Sequence, residues 1–243
     1  MKCFDADAPF TISPMPVRQV IKRNSQRGDG YFNSRKMGTS LPRESQGERA
    51  FLVLAELDPR VTEIYTQPGK LVHRSRAGAA VAFPDFAITV DEQTEIHEVK
   101  DAADYADSEV QEKLYWVGRE LSHKGLPYSV TISDTLKPLA LSQPIGDLLR
   151  RLYTAAPSLV SLTARRVLAS GPLTIGALIK RLPAGATFQH VEALIAQGDL
   201  RTDLRTPLHL GAEVHSAESG MLFPRLITFT PPTRPDFLPR SLG

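Results

Sequence analysis

Phe83-Pro84-Asp85-Phe86-Ala87-Ile88, followed by Ile96-His97-Glu98-Val99-Lys100, is the stretch from which the fold is read. Alternating and β-branched residues flank the polar Asp91-Glu92-Gln93-Thr94, the pattern of two strands joined by a tight turn. A symmetric, even-length loop pairs Val90 with Glu95 or Asp91 with Thr94. Either register sets Asp85 opposite Lys100. Side chains alternate along a strand, so Glu98 shares the face of Lys100. Opposed residues of an antiparallel pair also share a face, which brings in Asp85. Phe86, Ile88, Val90 and Val99 are then expected to point into a core.

Two neighbouring carboxylates repel, and burying them uncompensated is costly. A hard divalent cation, Mg²⁺ or Mn²⁺ in its place, relieves that cost through carboxylate oxygens and retained water. Such an ion can polarise a phosphoryl oxygen and activate water. The amine of Lys100 can steady the charge that builds during attack. The plainer alternative is a surface ion pair between Asp85 and Lys100, worth about 0–1 kcal/mol.

Around this hairpin the 243 residues are 42% hydrophobic and 23% charged, an ordinary balance for a chain with a sizeable core. No run is long and apolar enough to span a bilayer, so no membrane partner is expected. The start lacks the apolar segment of a signal peptide, which predicts a cytoplasmic protein. A single cysteine, Cys3, excludes a disulfide framework and a cysteine-based zinc site. The net charge is only +2, but Arg18, Lys22, Arg23, Arg27, Arg35, Lys36 and Arg43 crowd the early chain. That excess suits a polyanion. Lys22, Arg23, Arg35 and Lys36, interleaved with Tyr31 and Phe32, are the candidate DNA contacts.

Four regions are expected. Residues 1–43 form a basic, irregular arm with one short helix near 17–23. Residues 44–137 form the main domain, with a helix over 44–57 in which Phe51, Leu54 and Leu57 recur at helical spacing. Glu44 and Glu48 lie one turn apart on it, and either reaches the acidic cluster if the helix packs there. Strands follow over 61–66, 70–75 and 79–90, then an acidic loop over 101–107, a helix over 108–124 and a strand over 127–132. That order implies an α/β fold with a mixed sheet flanked by helices. Residues 138–215 read as short helices followed by an extended ribbon over 199–210, the plan of a small winged helix. The helix over 188–197 carries no Arg or Lys to reach a groove. Residues 216–243 form a Pro-rich tail, extended and mobile, after an apolar strand or docking segment over 223–229.

Glu48-Arg49-x-Phe51-Leu52, Val61, Gln67-Pro68, Pro84-Asp85-Phe86 and Glu98-Val99-Lys100 together resemble the TnsA family. These are endonuclease subunits of heteromeric transposases, with the restriction-endonuclease-like PD-(D/E)xK fold. The resemblance covers about residues 44–132, and the helical region beyond looks like the family's C-terminal winged-helix-like domain. It implies hydrolysis of the 5′ strands at transposon ends, beside a TnsB-type DDE transposase and a TnsC-type AAA+ regulator. It also implies action in bacteria, at the nucleoid. Carried over, Glu48, Asp85 and Glu98 would hold Mg²⁺ and Lys100 would assist the water, with Glu44 a rival for Glu48. Family members often have glutamine where Glu98 stands. Gln111-x-x-x-Tyr115 also resembles RecB-like nucleases of the same superfamily.

Two other readings stay open. One is a free-standing PD-(D/E)xK restriction or repair nuclease that needs no partner. The other is a non-catalytic DNA-binding or adaptor protein whose acidic cluster is a structural ion-pair site. His97 adjoins the cluster in sequence, but strand parity sends it to the opposite face.

Overall fold

The fold was obtained as a computed structural model that describes residues 10–18, 29–75, 78–221 and 223–236. Lys22, Arg23, Arg27 and most of the short helix expected near 17–23 lie outside these residues. The chain divides into two compact units. One holds residues 1–52, 60–137 and 227–243; the other holds 53–59 and 138–226.

In the first unit, β1 (Gly30–Ser34) and β2 (Thr39–Arg43) make an antiparallel hairpin. An irregular arm was expected there, and the hairpin corrects it. Pro42 inside the second strand and the polar Thr39-Ser40 hide the pattern in the sequence. The turn closes through Gly38, whose φ of +63° suits glycine, and through Ser34 Oγ, which accepts from the Met37 N–H.

Next come α1 (Gln46–Leu57), β3 (Val61–Thr66) and a separate hairpin of β4 (Leu71–Ser75) with β5 (Gly78–Ala82). β6 (Phe86–Val90) and β7 (Gln93–Lys100) follow, then the one-turn helix α2 (Ala102–Tyr105) where a loop was expected. α3 (Ser108–His123) leads to β8 (Tyr128–Ile132), and α4 (Ser133–Ala140) leaves the unit. The main sheet has the order β3-β6-β7-β8, antiparallel except for the parallel pair β7-β8. The molecule is thus a mixed α/β fold.

Its two sheet faces have different partners. On one, Phe51 of α1 stacks on Phe86 with ring centroids 4.5 Å apart and lies 5.2 Å from the His97 ring. On the other, Ala87, Ile96, Tyr128 and Val130 pack with Leu114, Val117 and Leu121 of α3. Helices cover both faces, which is why β6 and β7 are buried almost throughout.

The β6-β7 register differs from the expected one. Val90 pairs with Gln93 and Phe86 with His97, so continuing the ladder sets Asp85 opposite Glu98 rather than Lys100. The reason is the turn. Asp91 and Glu92 sit at φ of +48° and +68°, a two-residue turn with both central residues left-handed. Arg60 holds it, its guanidinium paired to the Asp91 carboxylate and its carbonyl accepting from the Asp91 N–H at 3.3 Å. The slip is two residues, an even number, so each side chain keeps its expected face.

Residues 223–229, expected as a strand or a docking segment, form no strand. Ile227 is buried, the Thr230 carbonyl accepts from the Val130 N–H at 2.9 Å, and the Thr230 N–H donates to Ser129 Oγ at 2.8 Å. Pro232 abuts Gly118, so the beginning of the expected mobile tail is docked.

In the second unit, α5 (Gln143–Arg151) and α6 (Ser158–Leu168) precede β9 (Leu173–Thr174), α7 (Ile175–Ile179), α8 (Phe188–Ala196), β10 (Leu200–Arg201) and β11 (Glu213–Ser216). The small strands form one antiparallel sheet in the order β10-β11-β9. Thr187 caps α8 with His190 in a reciprocal box, and Gly198 follows its end at φ +79°.

Candidate active site

Asp85 stands in the bend before β6 and is 8% exposed, as is Glu98 in β7. Asp85 is fixed at both ends. Its carbonyl accepts from the Gln67 N–H at 2.7 Å, and its Oδ2 accepts from the Val99 N–H at 2.9 Å. The side chain thereby takes over the β7 ladder where β6 stops. Gln67 itself is held at φ +45°, and its Oε1 accepts from Arg18 Nε at 2.9 Å. Arg18 also pairs with Glu44 and lies over the Phe83 ring, so the segment before the site is tied down by one guanidinium.

Lys100 Nζ donates to Glu98 Oε1 at 2.6 Å and lies 3.9 Å from Asp85 Oδ2. Asp85, Glu98 and Lys100 therefore meet on one face, as parity requires. Burial alone would lower the Lys100 pKa. Glu98 and Asp85 outweigh that and hold it above the usual lysine range, so the amine stays charged. Asp85 is pushed well above the usual carboxylate range, first by burial and then by the charge of Glu98, with Lys100 opposing.

Glu48 enters from α1. The helix begins at Gln46, so Glu44 precedes it instead of sharing its face. Ser45 Oγ accepts from the Glu48 N–H at 3.0 Å, and the Glu48 carboxylate accepts from the Glu44 N–H at 2.7 Å. This is a close relative of the Ser-x-x-Glu capping box. Of the two rival glutamates, Glu44 is engaged with Arg18, and Glu48 senses the charges of Lys100 and Glu98. Burial, the largest cause, raises the Glu48 pKa from 4.5 to about 7.

A polar cleft opens at this point, lined by Glu44, Glu48, Lys100, Asp101, Asp104 and Lys137 among others. Lys137 was not anticipated. It lies on α4, 3.3 Å from Asp101 Oδ1 and 3.0 Å from Asp134 Oδ1. Pro138 inside that helix conceals the element from a periodicity reading. Among the described residues, no three His, Cys, Asp or Glu side chains are gathered so as to hold a metal ion. Each carboxylate of the cluster instead has a local partner: Val99 N–H for Asp85, Lys100 for Glu98, Glu44 N–H for Glu48.

Comparison with models of known protein families found no match, and comparison with curated proteins found none.

Of the other predicted residues, Arg35 and Lys36 lie in the turn of the β1-β2 hairpin, with Arg35 exposed. Next to them, Met37 Sδ accepts from the Ile64 N–H, which fastens the hairpin to β3. Gln111 donates to the Tyr105 carbonyl at 3.0 Å and ties α3 to α2. His97 is fully buried on the opposite face, 3.1 Å from Glu95. No helix among the described residues is long and apolar enough to cross a membrane.

Proposed function

We propose that this chain is a metal-dependent DNA endonuclease of the restriction-endonuclease-like PD-(D/E)xK type, acting as a TnsA-like subunit at transposon ends. The observation that carries the reading is the convergence of buried Asp85 and Glu98 with half-buried Lys100 on one sheet face, with Glu48 in electrostatic reach. Apart from the separate β4-β5 hairpin and the short α2, the order around the main sheet supports it: a helix, three antiparallel strands, a second long helix and a strand parallel to the third. The second unit supports a winged-helix reading in the same way. Its sheet pairs β9, between α6 and α7, with β11; of the ribbon expected over 199–210 only β10 is strand, and turns and irregular chain lead from it to β11.

The donor set suits a hard cation, because it offers carboxylate oxygens and two of the groups carry raised pKa values. Asp85 and Glu98, with Glu48, would hold Mg²⁺ or Mn²⁺. A bound divalent ion supplies charge neutralisation for a phosphoryl oxygen and makes nearby water more acidic. Glu98 and Glu48 have to give up their present partners to serve it. Lys100, permanently cationic, stands where it can steady negative charge on the phosphate. Arg35 and Lys36, in the turn between β1 and β2, would contact the DNA backbone, together with Lys22 and Arg23, which are candidates from the sequence alone. A TnsB-type transposase and a TnsC-type regulator are the partners this reading implies.

Lys100→Ala and Asp85→Ala test it. Nicking of transposon-end DNA with the partner transposase and Mg²⁺ should fall by at least about a hundredfold in either variant. Parent-like cutting by both would dismiss the assignment. Cutting by the chain alone would favour a free-standing nuclease. A non-catalytic reading is favoured by one observation, that each carboxylate already has a local partner. Mg²⁺ binding that is lost in Asp85→Asn would count against it.

A further inference from the structure

β8 carries a buried hydroxyl on the sheet face of the acidic site. In the parallel β7-β8 pair, Tyr128 is partnered with Ile96, and Val130 with Glu98. Tyr128 therefore shares the face of Glu98, one pleat away. The residue is 4% exposed and its ring lies under α3, where a Cβ on Gly118 would stand 3.2 Å from Cδ1. Among the described residues, its hydroxyl has no hydrogen-bond partner. A buried Tyr O–H ordinarily finds one, and leaving it unmade is destabilising. The neighbouring charges also reach it: burial, then Glu98, then Asp85 hold the phenol well above its usual range. Phenylalanine would fill the same space without that cost, so packing alone does not account for a tyrosine.

We propose that the Tyr128 hydroxyl is a positioning donor for the acidic site, holding the Glu98 carboxylate, directly or through one water, in the orientation that receives a divalent cation. The proposal rests on the reading of Asp85 and Glu98 as cation ligands. It assigns the hydroxyl no part in the fold of the cation-free protein.

Tyr128→Phe in the full chain separates these roles. Three quantities are read: thermal unfolding without cation, Mn²⁺ affinity by calorimetry, and the tyrosine absorbance change on adding Mn²⁺. The unfolding midpoint should be unchanged or higher, because an unmade bond has been removed. Mn²⁺ should bind about twofold to tenfold more weakly, the loss of one hydrogen bond. The Mn²⁺-induced tyrosine signal should shrink. Equal Mn²⁺ affinity in variant and parent overturns the proposal. So does a lower midpoint without cation, since the hydroxyl would then be supporting the fold. A parent that binds no Mn²⁺ removes the cation reading itself, and this inference with it. A parent that binds Mn²⁺, loses it in Asp85→Asn and keeps it in Tyr128→Phe removes the tyrosine role alone.

Discussion

Glu48 serves two masters: it caps α1 and it faces the charges of Lys100 and Glu98. The sign of its pH dependence follows. Its pKa is 4.5 in the unfolded chain and about 7 in the folded one. Between those values the folded state binds more protons, so stability falls as pH rises through the window. Asp85, also raised, acts in the same direction. Unfolding midpoints measured from pH 4 to 8 should therefore decline for the parent, and decline less for Glu48→Gln. Mg²⁺ should restore part of the lost stability in the parent near pH 7 and less in the variant. Identical pH profiles would remove Glu48 from the cluster. The convergence of Asp85, Glu98 and Lys100 was legible in the sequence because strand parity survives an even slip in register. The position of Lys137 on the cleft, and the different surroundings of Glu48 and Glu44, were not. They depend on where α1 starts, on Arg18 and on a proline-containing helix, none of which leaves a periodic trace.

Helix α1 is seated on β7 by close approach. A Cβ added to Gly47 would lie 2.6 Å from Ser133 Cβ and 3.3 Å from Val99 Cγ1. Gly47→Ala should thus lift the helix start, costing about 1–3 kcal/mol. It should also displace Glu48, the next residue. Chemical denaturation would read the first effect and metal affinity the second; loss of stability with full metal affinity would show that Glu48 does not serve the site. The hairpins show which structural features a sequence carries. Apolar alternation announced β6 and β7. Their register follows from the two-residue turn at Asp91 and Glu92, which Arg60, a residue outside the hairpin, holds through Asp91. The β1-β2 hairpin was missed because Pro42 and its polar neighbours look like a loop, although Pro42 pairs directly with Tyr31. The hairpin tip then holds Arg35 in a defined turn.

The chain as a whole joins a mixed-sheet unit to a smaller helical one, and α1 contributes residues to both. Asp58, just past that helix, is buried and its Oδ2 accepts from the Leu226 N–H at 2.9 Å. Chain segments far apart in sequence are thus closed onto each other within the second unit, something no local pattern announces. The stretch after Leu226 returns to the first unit, where Thr230 bonds Ser129 and Val130 on the outer side of β8. That side would otherwise present open N–H and C=O groups, a template for another chain. Pro231 and Pro232 follow at once, and proline has no N–H to extend a ladder. Deleting residues 228–243 should therefore yield particles that grow with protein concentration in light scattering, while the full chain stays at constant size. Equal scattering would mean that β8 needs no cover. The docked segment thus acts as a stopper against runaway strand-to-strand polymerisation.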